Sequence, residues 1–73
     1  MNPTDLEELP RLLSAHDVAQ VLQLKISSIY YAAKTGRIPC VRLWQGRRRA
    51  VIRFKSEDIK SFIESRTHPL EKR

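Results

Sequence analysis

Little in this sequence can be cross-linked, turned tightly or threaded through a membrane. Of its 73 residues only Cys40 is a cysteine, so no intramolecular disulfide can form, and a lone thiol suits a reducing compartment. A cytoplasmic setting is the expectation, with Cys40 read as a small buried hydrophobe at the start of a strand. Glycine occurs only at Gly36 and Gly46, so each is expected to mark a turn. Uninterrupted apolar runs reach only a few residues, as in Ala50-Val51-Ile52 and Leu12-Leu13, which excludes a transmembrane helix and the core of a signal peptide. The opening "MNPTDLEELPR" carries acids where a signal peptide would carry bases.

Catalytic and ligand-binding motifs are missing as well. There is no glycine-rich phosphate loop and no nucleophile motif. His16 and His68 stand far apart with no second cysteine, so they make no zinc set. A chain this short lies near the lower limit for a single hydrophobic core and leaves little room for an active-site cleft. The expectation is a non-enzyme with no cofactor, no metal, no small-molecule ligand and no membrane contact.

What the chain does have is positive charge, and its distribution says more than its total of +6. Up to Asp17 the acids Asp5, Glu7, Glu8 and Asp17 outweigh Arg11. From Val18 to Ser56 no acid occurs, while Lys25, Lys34, Arg37, Arg42, Arg47, Arg48, Arg49, Arg53 and Lys55 accumulate. From Glu57 onward the signs balance. A single-sign field focused on the middle of the chain favours a polyanion as partner. Solubility alone would not keep acids out of so long a stretch.

Residues 1–11, with Pro3, Pro10 and an acidic cluster, read as a flexible arm, 12–66 as one folded domain, and 67–73 as a flexible tail. In "LLSAHDVAQVLQL", Ser14 followed by Asp17 is a capping-box pattern, and capping accounts for Asp17 beside His16 without catalysis. Val18, Val21 and Leu22 are expected on the buried face of this short helix, which breaks at 23–25. "ISSIYYAAKTG" predicts a second helix, ended by Gly36 in the left-handed position. Ile29 and Ala33 face inward there with Ile26 or Tyr30 beside them, and Ser27, Ser28, Tyr31, Lys34 and Thr35 form the opposite face. Two short helices joined by a brief turn, the second with a polar and basic outer face, match a helix-turn-helix.

After Pro39 the period shortens to 2. Val41 and Leu43 are expected to oppose Arg42 and Trp44, and Ala50, Ile52 and Phe54 to oppose Val51, Arg53 and Lys55, with "QGRRR" at a hairpin tip. Arg42, Arg53 and Trp44 then share the outer face, with Trp44 covering the Arg42 stem or stacking at a DNA edge. Ser56 is expected to cap a third helix, Glu57 and Asp58 to occupy its first turn, and Ile59, Phe62 and Ile63 to form its inner stripe. The fold class is α+β, mainly α: three helices and a two-stranded hairpin.

In order and spacing these segments resemble the excisionase and MerR-like winged helix-turn-helix family of small bacterial and phage proteins. The resemblance spans Leu12 to Ile63 and rests on Asp17-Val18-Ala19 with Leu22, Ile29-Tyr30, Gly36-Arg37-Ile38-Pro39, and Arg53-Phe54 followed by Asp58-Ile59 and Phe62. It implies a winged helix-turn-helix that binds double-stranded DNA. The second helix enters the major groove, with Ser27, Ser28, Tyr31 and Lys34 facing it, and the wing lies along the backbone or minor groove through Arg47, Arg48 and Arg49. Tyr30, Thr35, Arg37, Arg42 and Arg53 complete the expected DNA-binding set, Tyr30 also being a packing residue.

The chain departs from the family pattern in places. Lys25 replaces the small polar cap of the second helix and Gln23 the glycine of the turn, so an irregular or shorter start of that helix is expected. Ile26 and Tyr31 stand where groove-facing arginines are usual, and the wing is longer, which shifts binding toward the wing. The implied role is excisionase-like, a recombination directionality and architectural factor working with an integrase or with further copies of itself. A small transcriptional regulator of the same family is the alternative. The absence of a long C-terminal coiled coil and of a ligand-binding domain favours an architectural or prophage-regulator role. From a different class, an RNA-binding protein and a protein-interaction adaptor using the surface near Trp44 and Val51 stay open.

Overall fold

A computed structural model of the chain describes residues 9–68. Most of the expected N-terminal arm (1–8) and the end of the tail (69–73) lie outside the described residues. The order is β1 (Leu12–Leu13), α1 (Ala15–Leu22), α2 (Ile26–Lys34), β2 (Val41–Gln45), β3 (Ala50–Lys55) and α3 (Ser56–Ser65). Three helices against a small antiparallel sheet make a winged helix-turn-helix.

α1 starts as its sequence dictates. The Asp17 backbone N–H donates to Ser14 Oγ at 3.1 Å, and the Ser14 N–H donates back to Asp17 Oδ2 at 3.0 Å, so two otherwise unpaired amides are satisfied reciprocally. Its inner stripe is Ala15, Val18, Ala19 and Leu22. Val21, expected on that face, is 55 % exposed, because it lies roughly a third of a turn from the centre of the stripe.

Both helices of the pair end in the same way. Leu24 N–H donates to Ala19 O at 2.9 Å and Gln23 N–H to Gln20 O at 3.3 Å; in α2, Arg37 N–H donates to Ala32 O at 2.8 Å and Gly36 N–H to Ala33 O at 3.2 Å. These are Schellman closures, which place one residue in the left-handed region. In α2 that residue is Gly36, at φ 81, and in α1 it is Gln23, at φ 58. The turn therefore keeps its geometry without glycine, and α2 starts without irregularity and runs for 9 residues. Lys25, its N-cap, makes no side-chain capping bond.

β3 is the central strand of the order β1-β3-β2. Ala50, Ile52 and Phe54 point into the core as their alternation predicts, with Phe54 fully buried beside Val18 and Ile29. The hairpin gains a third strand: Leu12 and Leu13 pair with Lys55 and Phe54. A strand of 2 residues shows no period of its own, so only its partner reveals it.

The outer strand corrects the expected alternation. Val41 pairs with Arg53 and Arg42 with Ile52, but Trp44 pairs with Val51 and Gln45 with Ala50, leaving Leu43 as a bulge. Directly opposed residues share a face, so Arg42 lies on the side of Ile52 and Ala50, toward α2, and not with Arg53 on the outer side. The extra residue reverses the phase. Trp44 stays on the outer face, 62 % exposed, and on the opposite side of the sheet from the Arg42 stem it was expected to cover. Cys40 is exposed, not buried; it precedes β2, at the mouth of the cleft between α2 and the hairpin.

β3 runs into α3 with no intervening loop. The N-cap of α3 is Lys55, not Ser56: Lys55 keeps extended backbone angles and Ser56 is already helical, while the Ser56 N–H donates to the Arg11 carbonyl at 2.9 Å in continuation of the sheet. Glu57 and Asp58 occupy the first turn as expected. Ile59 is buried and Phe62 partly so. Phe62 lines an open cleft with Leu24 and Ala32, and Ile63, expected on the inner stripe, is 40 % exposed. Among the described residues no helix is long and apolar enough to cross a membrane.

Candidate nucleic-acid interface

With Ile29 fully buried and Ile26 and Ala33 packed beside it, helical geometry turns Ser27, Ser28, Tyr31, Lys34 and Thr35 outward. All five are exposed, and Tyr31 is 59 % so. The face has short hydroxyls at its N-terminal end and a cation at its C-terminal end. Thr35 is partly committed to the fold: its Oγ1 donates to the Tyr31 carbonyl at 2.9 Å. Lys25 at the N-cap leaves the positive end of the helix dipole without a neutralising acid, a setting that favours anions.

The wing tip is a four-residue turn from Gly46 to Arg49, closed by the Gly46 N–H donating to the Arg49 carbonyl at 2.9 Å. A Cβ on Gly46 would lie 2.7 Å from that carbonyl oxygen, so only glycine fits. Arg47, Arg48 and Arg49 are all exposed, but they do not act alike. The Arg49 guanidinium turns back to lie 4.3 Å from the centroid of the Tyr30 ring, a cation–π contact that ties the wing to α2. Arg47 and Arg48 are left at the tip. Their mutual repulsion is therefore partly relieved inside the protein, with one of the three charges moved onto an aromatic face.

Between α2 and the hairpin lies an open cleft of about 500 Å³ that brings together Tyr30, Lys34, Arg42, Gln45 and Arg49, and no acid lines it. Three cations converge there because the Leu43 bulge turns Arg42 toward α2. Ser27, Ser28, Tyr31 and Arg37 border the opposite flank of the helix, and the Arg37 guanidinium lies 5.9 Å from the Tyr31 ring centroid. Arg53 is apart from both groups. It is half-buried on the outer sheet face, where its Nη1 donates to the Ile52 carbonyl at 2.7 Å.

The Arg49–Tyr30 contact has no signature in the sequence. Tyr30 beside Tyr31 gave a weak signal that one ring packs and the other is free, but not which cation it meets. Among the described residues no group of three His, Cys, Asp or Glu side chains is placed to hold a metal ion.

Comparison with known proteins agrees with this architecture. The family model described as a helix-turn-helix domain matches residues 12–67, from β1 to just past the end of α3. No curated protein and no solved structure gives a significant match to the chain. With that match spanning most of its length, the chain belongs to this helix-turn-helix domain family and is a DNA-binding helix-turn-helix protein.

Proposed function

We propose that this protein recognises duplex DNA by sequence and acts as an excisionase-like architectural factor. α2 enters the major groove, and the wing lies on the adjacent minor groove or backbone. The observation that carries this reading is the cleft between α2 and the hairpin, where Lys34, Arg42 and Arg49 face one another across a wall with no acid. Groove-facing and backbone-facing groups are thereby presented on one side of the molecule.

The division of labour follows from the side chains. Phosphate contacts supply affinity and register, and base contacts supply specificity. Tyr31 and Lys34 are the groups long enough to read base edges, while Ser27 and Ser28 let the helix approach closely. Arg47 and Arg48 suit a narrow minor groove, where the potential is most negative. Neutralising about six phosphates would give a slope of log K against log salt of about −5.

One module buries only about 600–1,000 Å² on DNA, so specific action needs neighbouring copies or an integrase. The outer sheet face supports a protein contact of that kind, since Trp44 is 62 % exposed beside its partner Val51. The first test is selection from a random duplex pool at about physiological ionic strength. Tandem direct repeats in the recovered sequences support cooperative, excisionase-like loading, whereas inverted repeats favour a dimeric transcriptional regulator. Recovery without an enriched motif defeats sequence-specific recognition. Replacing Arg47, Arg48 and Arg49 together by glutamine is expected to cause a large loss of affinity and a shallower salt slope; unchanged affinity would overturn the wing's assignment.

A further inference from the structure

We propose that Arg37 and Arg66 form a second backbone clamp, holding a DNA phosphate on the flank of α2 that faces α3, across the helix from the wing. The inference rests on the reading that α2 enters the major groove. It concerns a different surface from the cleft described above, and it brings in a residue from the end of α3.

On that flank lies an open cleft of about 480 Å³, bounded by Ser27, Ser28 and Tyr31 of α2, by Arg37, and by Phe62 and Arg66 at the end of α3. No acid lines it. The Arg66 guanidinium stacks on an aromatic ring, 3.9 Å from the Phe62 centroid, while Arg37 lies 5.9 Å from the Tyr31 centroid, at the outer reach of a cation–π contact. Stacking engages the flat face of a guanidinium and leaves its N–H edge directed outward, the edge that forks onto phosphate oxygens. Arg66 Nη1 also donates to Ser65 Oγ at 3.3 Å, which fixes the group further.

The choice of a backbone phosphate follows from the dimensions of the groove. A B-DNA major groove is about 12 Å wide, and a helix with its side chains is about 10–12 Å across. An inserted α2 therefore has a sugar-phosphate strand along each flank. The wing-side cleft meets one strand through Lys34, Arg42 and Arg49. Arg37 and Arg66 face the other, and the Ser27 and Ser28 hydroxyls on the same wall add short donors. In the sequence, Arg66 belongs to a stretch of balanced charge; only the docking of α3 beside α2 brings it to the interface.

The test compares Arg66→Gln, which keeps a stem over Phe62 but removes the charge, with Arg66→Lys, which restores it, and with Arg48→Gln at the wing tip. Affinity for a recovered target duplex and for a random duplex is measured across salt concentrations, and thermal melts check that each variant is folded. Arg66→Gln is expected to weaken both duplexes by the same factor, on the order of tenfold, and to make the salt slope shallower by about 0.9, because a phosphate contact carries no sequence information. Arg66→Lys recovers most of the affinity. Phosphate-ethylation interference, run on the wild type and on each glutamine variant, is expected to place the phosphate held by Arg66 and the phosphate held by Arg48 on opposite strands. If the wild type binds and Arg48→Gln flattens the slope while Arg66→Gln does not, the clamp fails and the DNA reading stands. If the wild type does not bind duplex DNA, both fail. If Arg66→Gln reduces only cooperativity between adjacent sites, the cleft takes a neighbouring copy and the clamp is overturned.

Discussion

The two helices of the helix-turn-helix are similar in length and opposite in construction. α1 has a complete capping box at its N-terminus but ends in a left-handed Gln23; α2 ends in a left-handed Gly36 but starts at Lys25 with no side-chain cap. Each helix is well made at its outer end, and the two unfavourable ends meet in the turn between them. Local preference is thus given up at one place, and burial around Val18 and Ile29, both fully buried, holds the turn together. An acidic cap at position 25 would stabilise α2 but would place a negative charge next to the surface proposed to meet DNA.

The largest way to break this comparison is to remove the burial. Ile29→Ala is expected to cost about 2–5 kcal/mol, comparable with the whole stability of a domain this small at about 3–5 kcal/mol, so circular dichroism should show a largely unfolded chain. Gly36→Ala comes next. Nothing lies within 4 Å of the added Cβ, so its cost is purely conformational, about 1–2 kcal/mol, read as a lower midpoint in urea. The caps follow. Ser14→Ala should lose about 1 kcal/mol, and Lys25→Ser should gain up to about 1 kcal/mol, moving the melting temperature down and up by about 4–8 °C. Duplex affinity should fall in Lys25→Ser despite the higher stability; a rise would show that Lys25 does not serve the interface.

The smallest effect sharpens the contrast through pH. The Ser14 backbone N–H, then its hydroxyl, hold the Asp17 carboxyl below its ordinary value of 3.8. A carboxylate with a lowered folded-state pKa stabilises the fold above its unfolded value, and that contribution is lost as pH falls through the folded value. Asp17→Asn should therefore lower stability at neutral pH and flatten its loss on acidification below about pH 4, so that variant and parent converge in acid. α2, with no acid in its first turn, offers no counterpart.

What was legible in the sequence was what neighbouring residues decide. Ser14 with Asp17, Gly36, the inward set Ala50, Ile52 and Phe54, and the polar face of α2 all follow from spacings of two to four residues. What was not legible depends on segments far apart in the chain. β1 exists because β3 offers an edge to Leu12 and Leu13. The Leu43 bulge moves Arg42 to the α2 side because the register is set against Ile52, and nothing in "CVRLWQG" marks it. The Arg49–Tyr30 contact and the approach of Arg66 to α2 are tertiary in the same sense. Cys40, expected to be buried from its residue type alone, stands exposed just before β2 begins.

Lys55 is both the last residue of β3 and the cap of α3, so one rigid piece runs from beside the wing tip to the end of α3. Hinge motion is absorbed by a few loop residues or element ends that change their backbone angles, and here no loop residue separates strand from helix. Push the tip sideways on a curved duplex, and the load passes along β3 like a lever, to be taken up by twisting the sheet or tilting α3. The angle of the wing and the position of the far end of α3 are thus coupled, and on the proposed DNA complex they would shift together.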